Sequence, residues 1–227
     1  MKTKPLDFLL SGIALASILG AALGIIVVAV VPISGKILGD YHVIADALAL
    51  LLSFGLVAAL WMRVLLAIWP LQPGDHAMDQ PIFVVWKLST VIYAFGRGAL
   101  LPFTTVFAQP LVARLFGASI EGEAALGGRI ADPSLVRIGA GAILGHNSAV
   151  TPHAITSGRI ILEQVDIGRG ATLGVNVVVM AGAKIGEGSV VAAGSVVPPF
   201  TTIPPGELWG GIPARKIKAL EPEDFRQ

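Results

Sequence analysis

The chain of 227 residues contains no cysteine. Disulfides, thiolate nucleophiles and zinc–thiolate sites are thereby excluded. Charge is scarce as well: Asp, Glu, Lys and Arg make up 14% of the residues and nearly cancel, leaving a net charge of +1. No basic face is available to neutralise phosphates, which argues against nucleic acid as a partner. Histidine is limited to four positions, His42, His76, His146 and His153, so candidates for proton transfer or metal binding are few. What the chain has in excess is apolar surface, 54% of its residues with a mean hydropathy of +0.78. That composition points to the lipid bilayer.

The apolar residues are concentrated in the first half. Residues 8–35 carry no charge, and the run is long enough to cross a hydrocarbon core of roughly 30 Å. A signal peptide would have a shorter apolar core with a small-residue cleavage site close behind, whereas this run extends to Pro32. A second run, His42 to Trp69, is interrupted only by Asp46 and Arg63 near its ends, where long side chains reach the headgroups. Residues 82–116 form a third apolar region, broken by Lys87, Arg97, Pro102, Pro110 and Arg114. It reads as a third span followed by an interfacial helix, or as two kinked pieces. Gly12, Ala16, Gly20 and Gly24 recur every fourth residue, forming a small-residue stripe suited to close helix packing, either between subunits or against the second helix.

The second half has a different period. From Ile138 to Val197 an aliphatic residue recurs every six positions, usually followed by Gly and, four positions on, by a small residue: Ile138-Gly139 with Ala142, Leu144-Gly145 with Ser148, Ile167-Gly168 with Ala171, Leu173-Gly174 with Val177, Ile185-Gly186 with Ser189. Each hexad is one face of a triangular coil. The aliphatic residue points into the prism, Gly is assigned to the unusual φ of the bend, and the small residue fits the corner. The expected fold is therefore an α+β membrane protein: N-terminal transmembrane helices (1–117), a left-handed parallel β-helix (118–218) and a solvated tail (219–227). The ladder runs 138, 144, 150 and resumes in a shifted phase at 155 or 161, so a loop, TPHAITSGRIILEQ, leaves the prism after Val150 carrying His153. Asn147 and Asn176 occupy bend positions where Asn tolerates positive φ.

VDIGRGATLGVNVVVMAGAKIGEGSVVAAGSVV and WGGIPARKI, with Ile212 where a Gly-Asn-Pro-Ala ending has Asn, resemble the last coils and the terminal signature of the hexapeptide-repeat acyltransferase family. The membrane half resembles the terminal region of poly-lysine-type nonribosomal peptide synthetases. The family resemblance implies a homotrimer with active sites between neighbouring prisms, coenzyme A or acetyl coenzyme A as donor, no metal, and a loop histidine as general base. His153 matches that histidine, with His146 nearby to orient it or the substrate. A backbone amide such as that of Gly174 would stabilise the oxyanion. Ala181, Ala193, Gly194 and Ser195 match the turns that line the pantetheine arm, and Arg215 and Lys216 the residues that hold its phosphates. Trp209 either stacks on adenine or packs over the prism end.

The implied acceptor is a small or lipid-linked hydroxyl or amine, with an acyl carrier protein as an alternative donor. Two other classes share these coils: a γ-class carbonic anhydrase, which needs three convergent histidines, and a non-catalytic module that binds a pantetheine thioester or scaffolds the membrane. The expected location is a bacterial inner (plasma) membrane, multi-pass, with the β-helix cytoplasmic, where coenzyme A is available. Lys2 and Lys4 place the N-terminus in the cytoplasm by the positive-inside rule. Three spans would then put the β-helix outside, so the reading requires either an external N-terminus or an even number of spans.

Overall fold

The computed structural model describes residues 4–221, so the tail beyond 221 and Lys2 lie outside the described residues. The chain divides into two compact units. One comprises Met1–Pro70 with Val84–Thr104, and the other Leu71–Phe83 with Thr105–Gln227. The division is not the single cut expected near Gly117, because the segment joining the second and third apolar regions belongs with the β-helix.

In the first unit α1 (Pro5–Ile25) passes through one π-helical turn, Ile26–Val30, into α2 (Val31–Leu38). The helix therefore continues through Pro32 where the sequence suggests an end. Proline has no amide to donate one turn back, and the wider π turn just before it absorbs the lost bond. A 3₁₀ turn, Gly39–Tyr41, with Gly39 at φ +52°, reverses the chain into α3 (His42–Ile68). The hairpin buries Ala14, Ile18, Ala22 and Ile26 of the first limb and Ala58, Ala59, Met62 and Leu65 of the second. The Gly12–Gly24 stripe lies on another face: a Cβ added at Gly12, Gly20 or Gly24 would meet nothing within 4 Å. Its packing against the second helix is thus overturned.

After α3 the chain forms β1 (Gly74–Ala77) and then α4 (Pro81–Leu100). Lys87 of α4 forms an ion pair with Asp7 of α1. The far end of α4 meets α3 at Gly55, where a Cβ would stand 3.1 Å from the Gly96 carbonyl oxygen and collide with Leu100. The Pro5–Ile68 and Pro81–Phe103 stretches are long and apolar enough to cross a membrane. The short α5 (Gln109–Leu115) follows.

The second unit is a parallel β-helix. Its coils are built from β2 (Ser119–Ile120), β3 (Ala125–Leu126) and β4 (Arg129–Ile130), then β5 (Val136–Ile138), β6 (Ile143–Leu144) and β7 (Ala149–Thr151). An excursion follows, β8 (His153–Thr156) and β9 (Arg159–Leu162). The coils resume with β10 (Val165–Ile167), β11 (Thr172–Leu173) and β12 (Val178–Met180), then β13 (Lys184–Ile185), β14 (Val190–Val191) and β15 (Val196–Val197), and last β16 (Thr202–Ile203), β17 (Glu207–Gly211) and the returning β18 (Ala214–Ala219). Three parallel sheets result, one per face. Ile138, Leu144, Val150, Ile167, Leu173, Val179, Ile185, Val191 and Val197 stack in the core, each at most 3% exposed. The small residues Ala142, Ser148, Ala171, Val177, Ser189 and Ser195 are equally buried.

Two local expectations are corrected. Glycines 139, 145, 168, 174 and 186 are not at positive φ; that conformation belongs to Gly141, Gly170, Gly182, Gly188, Gly194, Asn147 and Asn176. The first group is needed for close approach instead: a Cβ at Gly174 would lie 2.5 Å from the Ala193 nitrogen, and at Gly145 2.7 Å from the Leu173 carbonyl oxygen. The ladder resumes in its shifted phase at Ile167, not at 155 or 161. Val150 pairs directly with Val179, and Ile155 and Ile161 belong to the excursion.

Outward-facing side chains differ by face. The β2–β5–β10–β13–β16 face presents Ser119, Arg137, Asp166, Lys184 and Thr202. The other two present Ala125, Ile143, Thr172, Val190 and Leu208, and Arg129, Ala149, Val178 and Val196. One face is built for water and two are built largely from apolar residues.

Candidate functional site

The excursion is a β-hairpin, not the open loop its sequence suggests. β8 and β9 pair antiparallel from His153–Leu162 to Thr156–Arg159, joined by Ser157 and Gly158 at φ +44° and +82°. Positive φ at both central residues is the primed turn that matches strand twist. Ile160 and Leu162 are fully buried, so the hairpin has its own apolar anchor. β1 adds a third strand, pairing with β9 from Gly74–Leu162 to Ala77–Arg159.

His153 opens this hairpin, and its Nδ1 is hydrogen-bonded to Oδ2 of Asp132. The Asp132 side chain is 4% exposed and that of His153 26%. Asp132, two residues past the end of β4, is in the left-handed conformation, φ +43°, directly before the 3₁₀ turn Pro133–Leu135. A short polar side chain tolerates that backbone better than a bulky one. Sequence reasoning missed Asp132. The available signal was an acidic residue at a turn, one residue before Pro133, in coils otherwise turned by Gly and Asn. A buried carboxylate on Nδ1 fixes the tautomer and the ring plane and directs proton transfer to Nε2.

The other expected site residues fall into three groups. His146 stands exposed at a coil corner, and its side chain makes no hydrogen bond among the described residues, while its carbonyl accepts from Asn176. The Gly174 amide already donates to Val191 at 2.8 Å as part of the coil ladder, so it is withdrawn as an oxyanion donor. The Gly194 amide is likewise engaged, with the Val175 carbonyl. Ala181 is fully buried, and Ser195, 1% exposed, accepts the Gly211 amide on Oγ. Their side chains therefore build the corner. Ala193 and Gly194 form its exposed surface.

At the carboxyl end, Trp209 packs against the core and donates Nε1–H to Glu207 at 2.8 Å. Lys216 donates to the other Glu207 oxygen at 2.5 Å. These two bonds, that from Lys216 first, hold the Glu207 carboxyl below its ordinary pKa. Arg215 is exposed and donates to the Ala214 carbonyl. Among the described residues no three His, Asp or Glu side chains gather in a metal-binding cluster.

Comparison with known proteins matches residues 165–199 to the model described as bacterial transferase hexapeptide (six repeats). Two curated relatives, γ carbonic anhydrases 1 and 2 of Arabidopsis thaliana mitochondria, are each 34% identical over 83 residues. That match covers 37% of this chain and spans only 28% of the relatives' length. Among solved structures, the hexapeptide-repeat acetyltransferase VCA0836 of Vibrio cholerae O1 biovar eltor, complexed with acetyl coenzyme A, is 28% identical, covering 47% of this chain and 63% of that one at a TM-score of 0.42. A maltose O-acetyltransferase from Clostridium difficile 630 is 20% identical, covering 70% and 97% at 0.44. At these TM-scores the likeness carries no inference about chemistry.

Proposed function

We propose that this chain is a membrane-bound, coenzyme A-dependent acyltransferase whose general base is His153. The observation that carries the reading is the Asp132–His153 pair, presented on a hairpin that interrupts hexapeptide coils. The acceptor's hydroxyl or amine attacks the thioester carbonyl carbon while its proton passes to Nε2 of His153. Asp132 stabilises the imidazolium that forms. Collapse of the tetrahedral intermediate breaks the carbon–sulfur bond, and the proton leaves with the thiolate. No covalent enzyme intermediate is required. Acetyl is the simplest acyl group, and the acceptor is a hydroxyl or amine close to the bilayer. Of the cations expected to hold the donor's phosphates, Arg215 is the better placed, because Lys216 is held by Glu207. A zinc hydratase is disfavoured by its donor set, since among the described residues no three His, Asp or Glu side chains gather as metal ligands.

Two apolar prism faces beside one polar face support assembly into a trimer with the site completed between prisms. Calorimetry with coenzyme A, acetyl coenzyme A and phosphopantetheine tests the reading without a known acceptor. Micromolar binding together with thioester hydrolysis that depends on His153 supports it, and absence of binding to all three rejects it.

The same proposal includes a topology. Chain segments on both sides of α4, β1 before it and α5 after it, belong to the β-helical unit. Along α3, the contact at Gly55 lies 13 residues from Ile68 and a similar distance from His42. At 1.5 Å per residue α4 therefore ends about 20 Å short of the Gly39–Tyr41 turn. The α1–α2/α3 hairpin crosses the membrane twice and α4 does not cross it. An even number of spans puts the N-terminus and the β-helix together in the cytoplasm, where Lys2 and Lys4 and the donor all belong.

A further inference from the structure

We propose that β1, the strand supplied by the connector between α3 and α4, is a positioning element for His153. The inference rests on the reading of His153 as the base and adds a role for residues outside the repeat. His153 lies directly across β9 from β1: it pairs with Leu162, and Leu162 pairs with Gly74 on its other side. A two-stranded hairpin by itself is marginally stable in water, and a third strand with an apolar face makes it a sheet. β1 supplies that strand, closing the free edge of β9 along four residue pairs.

Further bonds lock the register. The Met78 amide donates to the Gly158 carbonyl at 3.1 Å, and Arg159 donates from Nε to the Asp75 carboxylate at 2.8 Å and from its guanidinium to the Asp75 carbonyl at 3.1 Å. His76 is turned back to the Gln72 carbonyl at 3.0 Å, which fastens the strand to its own connector. The ion pair is half exposed on both sides and contributes little energy alone. The backbone ladder is the principal restraint. By holding β9, β1 fixes where β8 begins, and so where the His153 ring stands relative to Asp132. A displacement of about 1 Å at such a group is enough to lower turnover roughly 100-fold.

The ladder indicates which substitution breaks the contact. Hydrogen-bonded and non-bonded pairs alternate along antiparallel strands. The Met78–Gly158 bond puts His76–Ile160 in the bonded set, and Asp75–Ile161 and Ala77–Arg159 in the other. His76→Pro deletes an inward amide, whereas Ala77→Pro deletes an outward one and serves as the control. A double variant, Asp75→Cys with Ile161→Cys, places a disulfide at a non-bonded pair of a chain that has no other cysteine, where Cα atoms lie about 4.5 Å apart.

The full chain in nanodiscs is measured for coenzyme A affinity, thioester turnover and the ¹⁵N-imidazole signals of His153, assigned by difference with His153→Gln. His76→Pro is expected to lower turnover roughly 10- to 100-fold, leave coenzyme A affinity unchanged and shift the His153 signals. Ala77→Pro is expected to match wild type. In the double-cysteine background, oxidation restores turnover and the His153 signals of His76→Pro, and reduction removes them. If His76→Pro folds only with the disulfide in place, the same comparison is made by reducing the folded protein. Wild-type turnover and unshifted His153 signals in His76→Pro overturn the proposal, as does a matching loss of turnover and affinity that oxidation does not rescue. A wild-type protein that turns over no thioester refutes the acyltransferase reading instead, and the ¹⁵N signals then decide the positioning role alone.

Discussion

His153 and Asp132 stand 21 positions apart in sequence, and one turn of the prism brings Nδ1 of the first against Oδ2 of the second. Coil stacking thus supplies an oriented imidazole from two residues with no shared local motif. The pair makes separable demands on the two side chains. His153→Ala removes the proton acceptor and is expected to lower thioester turnover by roughly 10² to 10⁴ while coenzyme A affinity stays near wild type. Asp132→Asn keeps the shape but loses the charge that fixes the tautomer, so it should fall within the same range. His146→Ala, at an exposed corner, should retain full turnover. An inactive His146→Ala beside an active His153→Ala would reassign the base.

Donor binding should respond in the opposite sense. Arg215→Ala removes an exposed cation that contacts phosphates equally in ground and transition states, so it should raise the apparent donor constant and leave saturated turnover unchanged. Lys216→Ala should change the donor constant less, because Glu207 already occupies that ammonium. Steady-state kinetics with acetyl coenzyme A distinguishes the two. A fall in saturated turnover with Arg215→Ala would place Arg215 in the chemistry.

The coils themselves offer a test of two kinds of glycine. Gly174→Ala forces a methyl group to 2.5 Å from the Ala193 nitrogen, against backbone that cannot move aside, and should destabilise the prism by about 1–3 kcal/mol. Gly188→Ala meets no atom within 4 Å but sits at φ +64°, so its penalty is left-handed strain of about 1–2 kcal/mol. Replacing Gly188 by Asn, which Asn147 and Asn176 show is tolerated at φ near +57° in this prism, should recover most of that loss. Gly174→Asn should not. Denaturant midpoints of the four variants decide it.

What the sequence made legible was whatever repeats. An aliphatic residue every six positions announces the prism and its core, because each hexad has the same burial to satisfy. The apolar runs announce the helices for a similar reason. Asp132 offered only the weak signal of an acidic residue at a turn because its role depends on a residue one coil away, and the 152–163 hairpin was masked by aliphatic residues, Ile155 and Ile161, that fell close to the period by coincidence. Glycine after the aliphatic was misread because a glycine needed for space and one needed for positive φ look the same in sequence. The third strand, β1, had no signal at all: Gly-Asp-His-Ala carries no strand pattern and is ordered by the edge of β9.

Acid should loosen the carboxyl end of the β-helix. The Glu207 carboxyl is held below its ordinary pKa by the bonds from Lys216 and Trp209. A depressed carboxylate pKa stabilises the fold above the unfolded value, about 4.3, and the contribution is lost as pH falls through the folded value. The β17–β18 pairing should therefore be unaffected by titration from pH 8 to 5 and weaken below about pH 4. The indole N–H resonance of Trp209 reports it directly. Glu207→Gln should abolish the pH dependence, and a Trp209 signal that moves between pH 8 and 5 would assign control to another group.

Topology provides the last test, and the absence of cysteine makes it clean. With two spans, the Gly39–Tyr41 turn is the one described segment on the outer side, while the chain enters α4 from the cytoplasmic side and returns to it afterwards. Tyr41→Cys, 77% exposed, should react with an impermeant maleimide in intact cells, and Phe107→Cys, 93% exposed just after α4, should react only after lysis. Ala77→Cys, before α4, should follow Phe107→Cys. If α4 crosses instead, these two positions lie on opposite sides, and exactly one of them labels in intact cells. Labelling of both from outside would keep the two-span hairpin but expose the β-helix, and a coenzyme A donor would then be untenable. The pattern of three single cysteines thus separates an error in counting spans from an error in assigning the donor.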